Sequence, residues 1–487
     1  MRTLATLAFD NSYARLPEPF GQRVAPVPLP APRLLHFNRR VAALLDLDPD
    51  EEIRADFALY AGGDRLPAGA EPVAMAYAGH QFGSWVPQLG DGRALLLGEV
   101  VNARGERWDL HLKGSGPTRW SRGFDGRSVL RSAIREYLAG EALHALGIPT
   151  TRALCLVASD LPVVRESVET AAAIVRVAPT HVRFGSFEYF AWQGQPDAVR
   201  QLADWVIERH FPHLRHEADR HARWLREVCE RTARLVARWQ AAGFVHGVMN
   251  TDNFSITGHT LDFGPYAFLD RFDPAFTPNR SDPEGRYAFG RQPGVARWNC
   301  AALAEAVLPL VAERDAADAL DAFAPAFERE HLRLLRARLG LGTVEADDLD
   351  LAAAFLGLLE ATRADYHLAF RRLALVTRDG GTPPALLAEV PAPAPLADWL
   401  ARYRARLARE GSDDRARAAR MERVNPLYVL RTHLAQAAIA AAQAGDPTEL
   451  ARLLELVSSP YDEVAGCERY AAAPAAAARG VALSCSS

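Results

Sequence analysis

One lysine constrains this chain more than any other residue. Of its 56 lysines and arginines, Lys113 alone is lysine, closing the run Arg107-Trp108-Asp109-Leu110-His111-Leu112-Lys113-Gly114. Strict alternation puts Trp108, Leu110 and Leu112 on one face and Asp109, His111 and Lys113 on the other, the period of a β-strand. Arginine serves every other basic position, so Lys113 marks a place for a compact ammonium on a flexible stem rather than a planar fork. After the Arg- and Gly-rich loop 114–127, Ser128 is placed to cap a helix that packs through Leu130, Ile134, Leu138 and Ala142. That helix runs to about Leu146 and stops at Gly147, with Pro149 beyond. Glu136 lies near its middle, 23 residues after Lys113. A strand lysine followed by a helix glutamate at this spacing is the ion pair that orients ATP phosphates in kinases.

Other stretches extend the pattern. Gln88-Leu89-Gly90-Asp91-Gly92-Arg93 reads as a hairpin turn between the apolar runs Phe82–Val86 and Ala94–Val101. Val163–Val177 reads as further strand, and 217–242 as an amphipathic helix closed by Gly243. The dense stretch Phe244–Ile256 then turns through Thr257-Gly258-His259 into Thr260-Leu261-Asp262-Phe263-Gly264. Folding about Gly258 predicts that Asn253 and Asp262 oppose each other on paired strands, as hard oxygen ligands suited to Mg²⁺. His246 and Asn253 keep the spacing of a kinase catalytic loop, but the position of the base aspartate holds Val248, which cannot accept a proton.

Composition narrows the class. With 487 residues, 49% hydrophobic, 24% charged and a formal net charge of −4, the chain reads as a large globular protein and not a general nucleic-acid binder. No apolar run is long enough for a transmembrane helix, and the apolar part of the first ten residues is too short for a secretory signal. Cys155, Cys229, Cys300, Cys467 and Cys485 are scattered, without metal-site spacing, which points to a reducing cytoplasm. The expected class is α+β in three regions. Residues 1–70 are a proline-rich extended arm with a short helix at 38–45, 71–300 a nucleotide-binding core, and 301–487 a helical C-terminal region with a flexible tail. Pro391–Pro395 reads as a linker within that last region.

Longer blocks carry a resemblance. They include Asp10–Leu16, Gly79–Gly83, Leu112–Gly116, Ser132–Arg152, His246–Asn253, Asn425-Pro426 and the terminal Ser484-Cys485-Ser486-Ser487. Over nearly its whole length the chain resembles the selenoprotein O family of protein-adenylylating pseudokinases. The resemblance implies a two-lobed protein-kinase-like fold that binds ATP in reversed orientation and moves AMP onto Ser, Thr or Tyr hydroxyls of proteins, itself included, releasing pyrophosphate. It implies nucleotide contacts from Gly90, Gly92, Arg93, Lys113, Asp125 and Gly126, with Arg176 and Arg183 on the outer phosphate. Asn253 and Asp262 would hold Mg²⁺ or Mn²⁺, Asp252 would accept the proton, and Glu136 would pair with Lys113. Cys485 stands where eukaryotic members carry selenocysteine. The loop 277–282 lacks the cysteine that some relatives pair with it, leaving Cys300 as the nearest candidate. Two alternatives stay open from the residues themselves: a phosphotransferase using Asp252 as base, and an inactive nucleotide-binding scaffold.

Overall fold

The computed structural model describes residues 2–479, 481, 483 and 484; Cys485 lies outside them. The chain is mixed α and β around one antiparallel sheet. In chain order its first strands are β1 (Gly21–Arg23), β2 (Arg33–Phe37), β3 (Val73–Met75), β4 (Gly79–Gln81), β5 (Ser84–Val86), β6 (Ala94–Val101) and β7 (Arg107–Lys113). They are followed by β8 (Ser128–Val129), β9 (Arg152–Val164) and β10 (Val168–Ala178). The main sheet runs β1-β3-β6-β7-β10-β9-β2, with β8 pairing β10. β7 lies centrally, with Lys113 opposite Ala94 on one side and Ile174 on the other.

Both faces of β7 are covered, which the alternation alone does not reveal. Leu110 and Leu112 pack against Leu29, Phe37, Val41 and Leu45 from the N-terminal seventy residues. The polar trio Asp109, His111 and Lys113 is also buried, facing other charged groups instead of water. The same N-terminal stretch supplies both edge strands, β1 and β2, and the short helix α1 (Arg39–Leu44), capped by the Asn38 side chain on the Val41 amide. Short strands at both edges leave little backbone to template further pairing.

Helices follow as α2 (Phe57–Ala61), α3 (Leu130–Ala145), α4 (Phe184–Trp192), α5 (Pro196–His210) and α6 (Arg220–Ala241). Ser128 does not cap α3. It pairs with Ala172 in the sheet, and Val129 takes the cap position. The helix is buried almost all round, so its stripe of leucines understates its packing. The run 163–177 is a hairpin and not one strand, because 165–167 turn between β9 and β10. The predicted hairpin at 88–93 is absent: β5 pairs back onto β4, and the Gly90 segment is a loop leading into β6.

Beyond residue 290 come α7 (Gln292–Ala306), α8 (Glu313–Asp321), α9 (Phe323–Arg338), α10 (Asp348–Thr362) and α11 (Tyr366–Arg372). The last are α12 (Pro384–Glu389), α13 (Pro393–Arg409), α14 (Asp414–Glu422), α15 (Thr432–Gln443), α16 (Thr448–Ser458) and the single turn α17 (Glu468–Ala471). A second core forms among α10, α11 and α13 around Phe355, Phe370, Trp399 and Tyr403. The Pro391–Pro395 stretch is no linker. Pro393 opens α13, where its missing N–H and fixed φ suit a first turn. No helix among the described residues is long and apolar enough to cross a membrane.

Candidate active site

A cavity of about 840 Å³ opens between the β6–β7 side of the sheet and the segment 248–265. Its lining joins Gly90, Gly92, Arg93, Lys113, Asp125, Gly126, Arg176, Asp252, Asn253 and Asp262, far apart in sequence. Glu136 and Arg183 stand one layer behind that wall, buried, touching residues that line it.

The centre is a charge network. Lys113 Nζ donates to Glu136 Oε2 at 2.5 Å, and Arg176 Nε donates to Glu136 Oε1. Arg176 also reaches Asp262 Oδ1 at 2.7 Å, while Arg183 donates to Asp262 Oδ2 and, at 2.9 Å, to the Asp252 carbonyl. Burial alone would raise Glu136, but the Arg176 and Lys113 charges outweigh it and hold the carboxyl at about 2. Asp262 follows the same logic, held well below the ordinary range by Arg183, Arg176 and Lys113 against its burial. Burial pulls Lys113 down to about 8, Glu136 opposing and Arg176 and Arg93 reinforcing. Four cations (Arg93, Lys113, Arg176, Arg183) thus meet two firmly ionised carboxylates. The excess is positive, as a polyphosphate requires.

Asp252 differs from both. Its carboxyl is pushed up to about 7 by burial, with Asp262 reinforcing and Arg183 opposing. Its Oδ2 accepts only a long contact of 3.4 Å from Gln81 Nε2, and its Oδ1 has no hydrogen-bond partner among the described residues. A carboxylate near neutrality with open lone pairs is the state a proton acceptor needs. Val248 lines the same cavity and brings no chemistry.

The predicted opposition of Asn253 and Asp262 on paired strands needs correction. Thr251–Asn253 is a single 3₁₀ turn, and among the described residues the two segments are joined to each other by a lone bridge from Phe254 to Thr260. Both side chains still reach the cavity. Asn253 spends its Nδ2 on the Val248 carbonyl at 2.9 Å, which leaves its amide oxygen as the group to offer inward. Asp262 adopts φ +59, a left-handed conformation that a short polar side chain tolerates and that sets where its carboxylate points. An amide oxygen with a carboxylate fits Mg²⁺, which takes few protein ligands and fills its shell with water and phosphate oxygens.

The loop 88–93 is fixed from behind by residues that sequence reading passed over. Asp91 Oδ2 accepts from the Met75 amide at 3.1 Å and pairs with His111 Nε2 at 3.0 Å. His111 stacks on His181 at 4.2 Å, and His181 Nδ1 is 3.1 Å from Asp109. This explains the polar face of β7: two of its residues hold the loop and the sheet, and only Lys113 faces the cavity. Asp125 is tied to Arg165 by two contacts of 2.8 Å. Gly90 has φ +66, and a Cβ there would sit 2.3 Å from the Trp120 ring. Gly90→Ala is therefore expected to destabilise the protein by about 1–3 kcal/mol, read as a lower midpoint in urea. An unchanged midpoint would mean the loop is not packed against Trp120.

Of the five cysteines, Cys155, Cys229, Cys300 and Cys467 are buried free thiols. Cys300 lies beside Cys229, its thiol pushed up by burial, so the suggested partner for Cys485 is enclosed in the core. The chain does return toward the cavity: Leu483 pairs with Asn279 in the loop after Asp-Phe-Gly.

The model of the family described as "Protein adenylyltransferase SelO" matches residues 3–458. Proteins named "Protein nucleotidyltransferase YdiU" are similar over the full length. That of Myxococcus xanthus is 53% identical over 488 residues, covering 100% of both chains. That of Thioalkalivibrio sulfidiphilus is 54% identical over 493 residues, again covering 100% of both. That of Methylococcus capsulatus is 52% identical over 494 residues, covering 100% of this chain and 98% of the relative. A match of this extent and identity leaves one assignment: the chain belongs to the protein adenylyltransferase SelO family.

Proposed function

We propose that this protein transfers AMP from ATP to hydroxyl groups of Ser, Thr or Tyr on acceptor proteins, its own chain included. One observation carries the reading beyond family membership. A single cavity brings the excess of cations and the open carboxylate of Asp252 together, with Val248 where a kinase keeps its base. A volume of this size suits a nucleotide. We take the architecture to be protein-kinase-like and two-lobed, with boundaries near 70 and 300, although α7–α9, α15 and α16 share the main core with the earlier part of the chain. The buried free thiols and the absence of a spanning helix among the described residues are compatible with a cytoplasmic enzyme.

In this reading Gly90, Gly92, Arg93, Asp125 and Gly126 line the nucleotide's bed, with Lys113 directed to its phosphates by Glu136. ATP lies reversed, so that Arg176 and Arg183 exchange their ion pairs with Asp262 for the outer phosphate. Each guanidinium then swaps one anion for another, and Asp262 is released to the metal. Asn253 and Asp262 would hold Mg²⁺ or Mn²⁺, which when bound neutralises charge on the phosphates. The acceptor oxygen attacks the α-phosphorus and its proton passes to Asp252. The bond from the α-phosphorus to the bridging oxygen breaks, and pyrophosphate leaves with that electron pair. Chemistry of this kind depends on positioning and electrostatics.

ATP labelled at the α-phosphate tests the reaction against ATP labelled at the γ-phosphate. Label on protein only from the α-position is expected; label from the γ-position identifies a phosphotransferase, and none from either identifies a scaffold. Orientation has its own test. Arg176→Ala with Arg183→Ala is expected to cost AMP transfer at least about tenfold, since charged hydrogen bonds contribute roughly 1.5–3 kcal/mol each. Wild-type incorporation by that double variant would overturn the reversed nucleotide.

A further inference from the structure

We propose that the β4–β5 hairpin and the rings packed around it are the docking surface for the acceptor protein. The acceptor would lay an extended segment there, with an acidic side chain near its target hydroxyl. The inference rests on the adenylyl-transfer reading and names its second substrate by chemistry.

The hairpin is bound to the catalytic segment. The His80 amide donates to Thr251 Oγ1 at 2.7 Å, and Gln81 reaches Asp252. At the tip Phe82 holds φ +53, a strained value for an aromatic residue. Its amide is fixed by Tyr287 Oη at 2.8 Å and Asn250 Oδ1 at 3.3 Å. Strain that is fixed this firmly, on a residue that both lines the cavity and is 37% exposed, places a ring at the mouth of the site.

The rings continue outward from there. Phe82 lies 5.2 Å from Tyr287; Trp85 stacks on Trp192 at 4.5 Å; His80 touches Trp85 and Trp298. Trp192 is 58% exposed and Trp298 38%. Contiguous exposed indoles mark a surface that another molecule covers, and Trp, Tyr and Arg are the residues that dominate binding at such places.

Charge selects the occupant. Arg286 lies over Trp298 at 4.9 Å and against Gly83. Its Nε has no hydrogen-bond partner, and no carboxylate pairs with its guanidinium among the described residues. Arg165, Arg176 and Arg183 already hold carboxylates; Arg286, engaged with the Tyr287 and Trp298 side chains, has a guanidinium charge left to meet a carboxylate brought by the acceptor. A segment lying across Trp192, Trp298 and Arg286 ends beside Phe82, next to Asp252.

Ten-residue peptides with one central Tyr or Ser, and Glu or Lys scanned through the flanks, test this with α-labelled ATP. The intact protein is expected to favour Glu over Lys about fivefold at one or two flanking positions, the factor a partly exposed ion pair supplies. Arg286→Glu is expected to invert that preference. Trp192→Ala is expected to raise the peptide KM at least about fivefold, with ATP affinity, measured separately with a fluorescent ATP analogue, within about twofold of wild type. Equal labelling of Glu and Lys peptides by the wild type would overturn the docking surface while adenylyl transfer stands. So would an Arg286→Glu protein that still favours Glu, or a Trp192→Ala protein altered only in self-association by light scattering, which would give the surface to a second copy. No α-label on any peptide or on the chain itself would overturn the adenylyl-transfer reading and this inference with it.

Discussion

Asp262→Ala abolishes AMP transfer in our expectation, with a loss of at least about 10³-fold, the upper range for removing one preorganised electrostatic group. Asp262 is the only acidic residue among the expected metal ligands, and it also receives Arg176 and Arg183. Its removal takes the carboxylate from the metal and leaves two buried guanidiniums short of a counter-charge. Breaking a buried pair from one side costs about 3–5 kcal/mol, so loss of fold must be separated from loss of chemistry. Asp262→Asn keeps the volume and is expected to be as inactive while losing less stability, read as a smaller fall in Tm. Activity of the asparagine variant within tenfold of wild type at saturating Mg²⁺ would remove Asp262 from the metal site.

Lys113→Arg is expected to fail almost as badly as Lys113→Ala, by about 10²-fold, the effect of misplacing a reacting group by roughly 1 Å. Lys113 is buried, with Glu136 at 2.5 Å and the Arg176 and Arg93 charges close by. A guanidinium there must crowd two others and cannot deliver a point charge to a phosphate. Single-turnover rates with α-labelled ATP decide the matter. Near-wild-type turnover for the arginine variant would return Lys113 to an ordinary basic position.

Which parts of this arrangement could be read from sequence follows from their distance along the chain. Lys113 and Glu136 were legible because a strand, a loop and a helix fix their relation locally. The grouping of Gly90, Lys113, Asp252 and Asp262 at one cavity was anticipated, though through motif order and resemblance, not through any local signal. Errors fell where a local signal met a non-local competitor. Ser128 has cap chemistry but was taken by β10. The glycines at 90 and 92 look like a hairpin, yet β5 had β4 to pair with. Prolines 393 and 395 look like a break, and they begin a helix. The Asp91–His111 pair left no trace in sequence, since it depends on which side of β7 meets the loop. The turn residues Phe82-Gly83, both at positive φ, carry a local signal for the hairpin beside Asp252, in the glycine at the second position.

Both outer strands of the sheet come from the first forty residues, and this sets an order on synthesis. β2 leaves the ribosome early, but its partner strand comes late: Phe37 pairs with Cys155. At roughly 5–20 residues per second, the early segment waits on the order of ten seconds for that partner to emerge. Until then its apolar residues, Leu29, Phe37 and Val41 among them, have no sheet to cover. The nascent chain is thus open to chaperones and proteases over that interval, and the strands under the nucleotide bed gain this cover only once β9 has emerged.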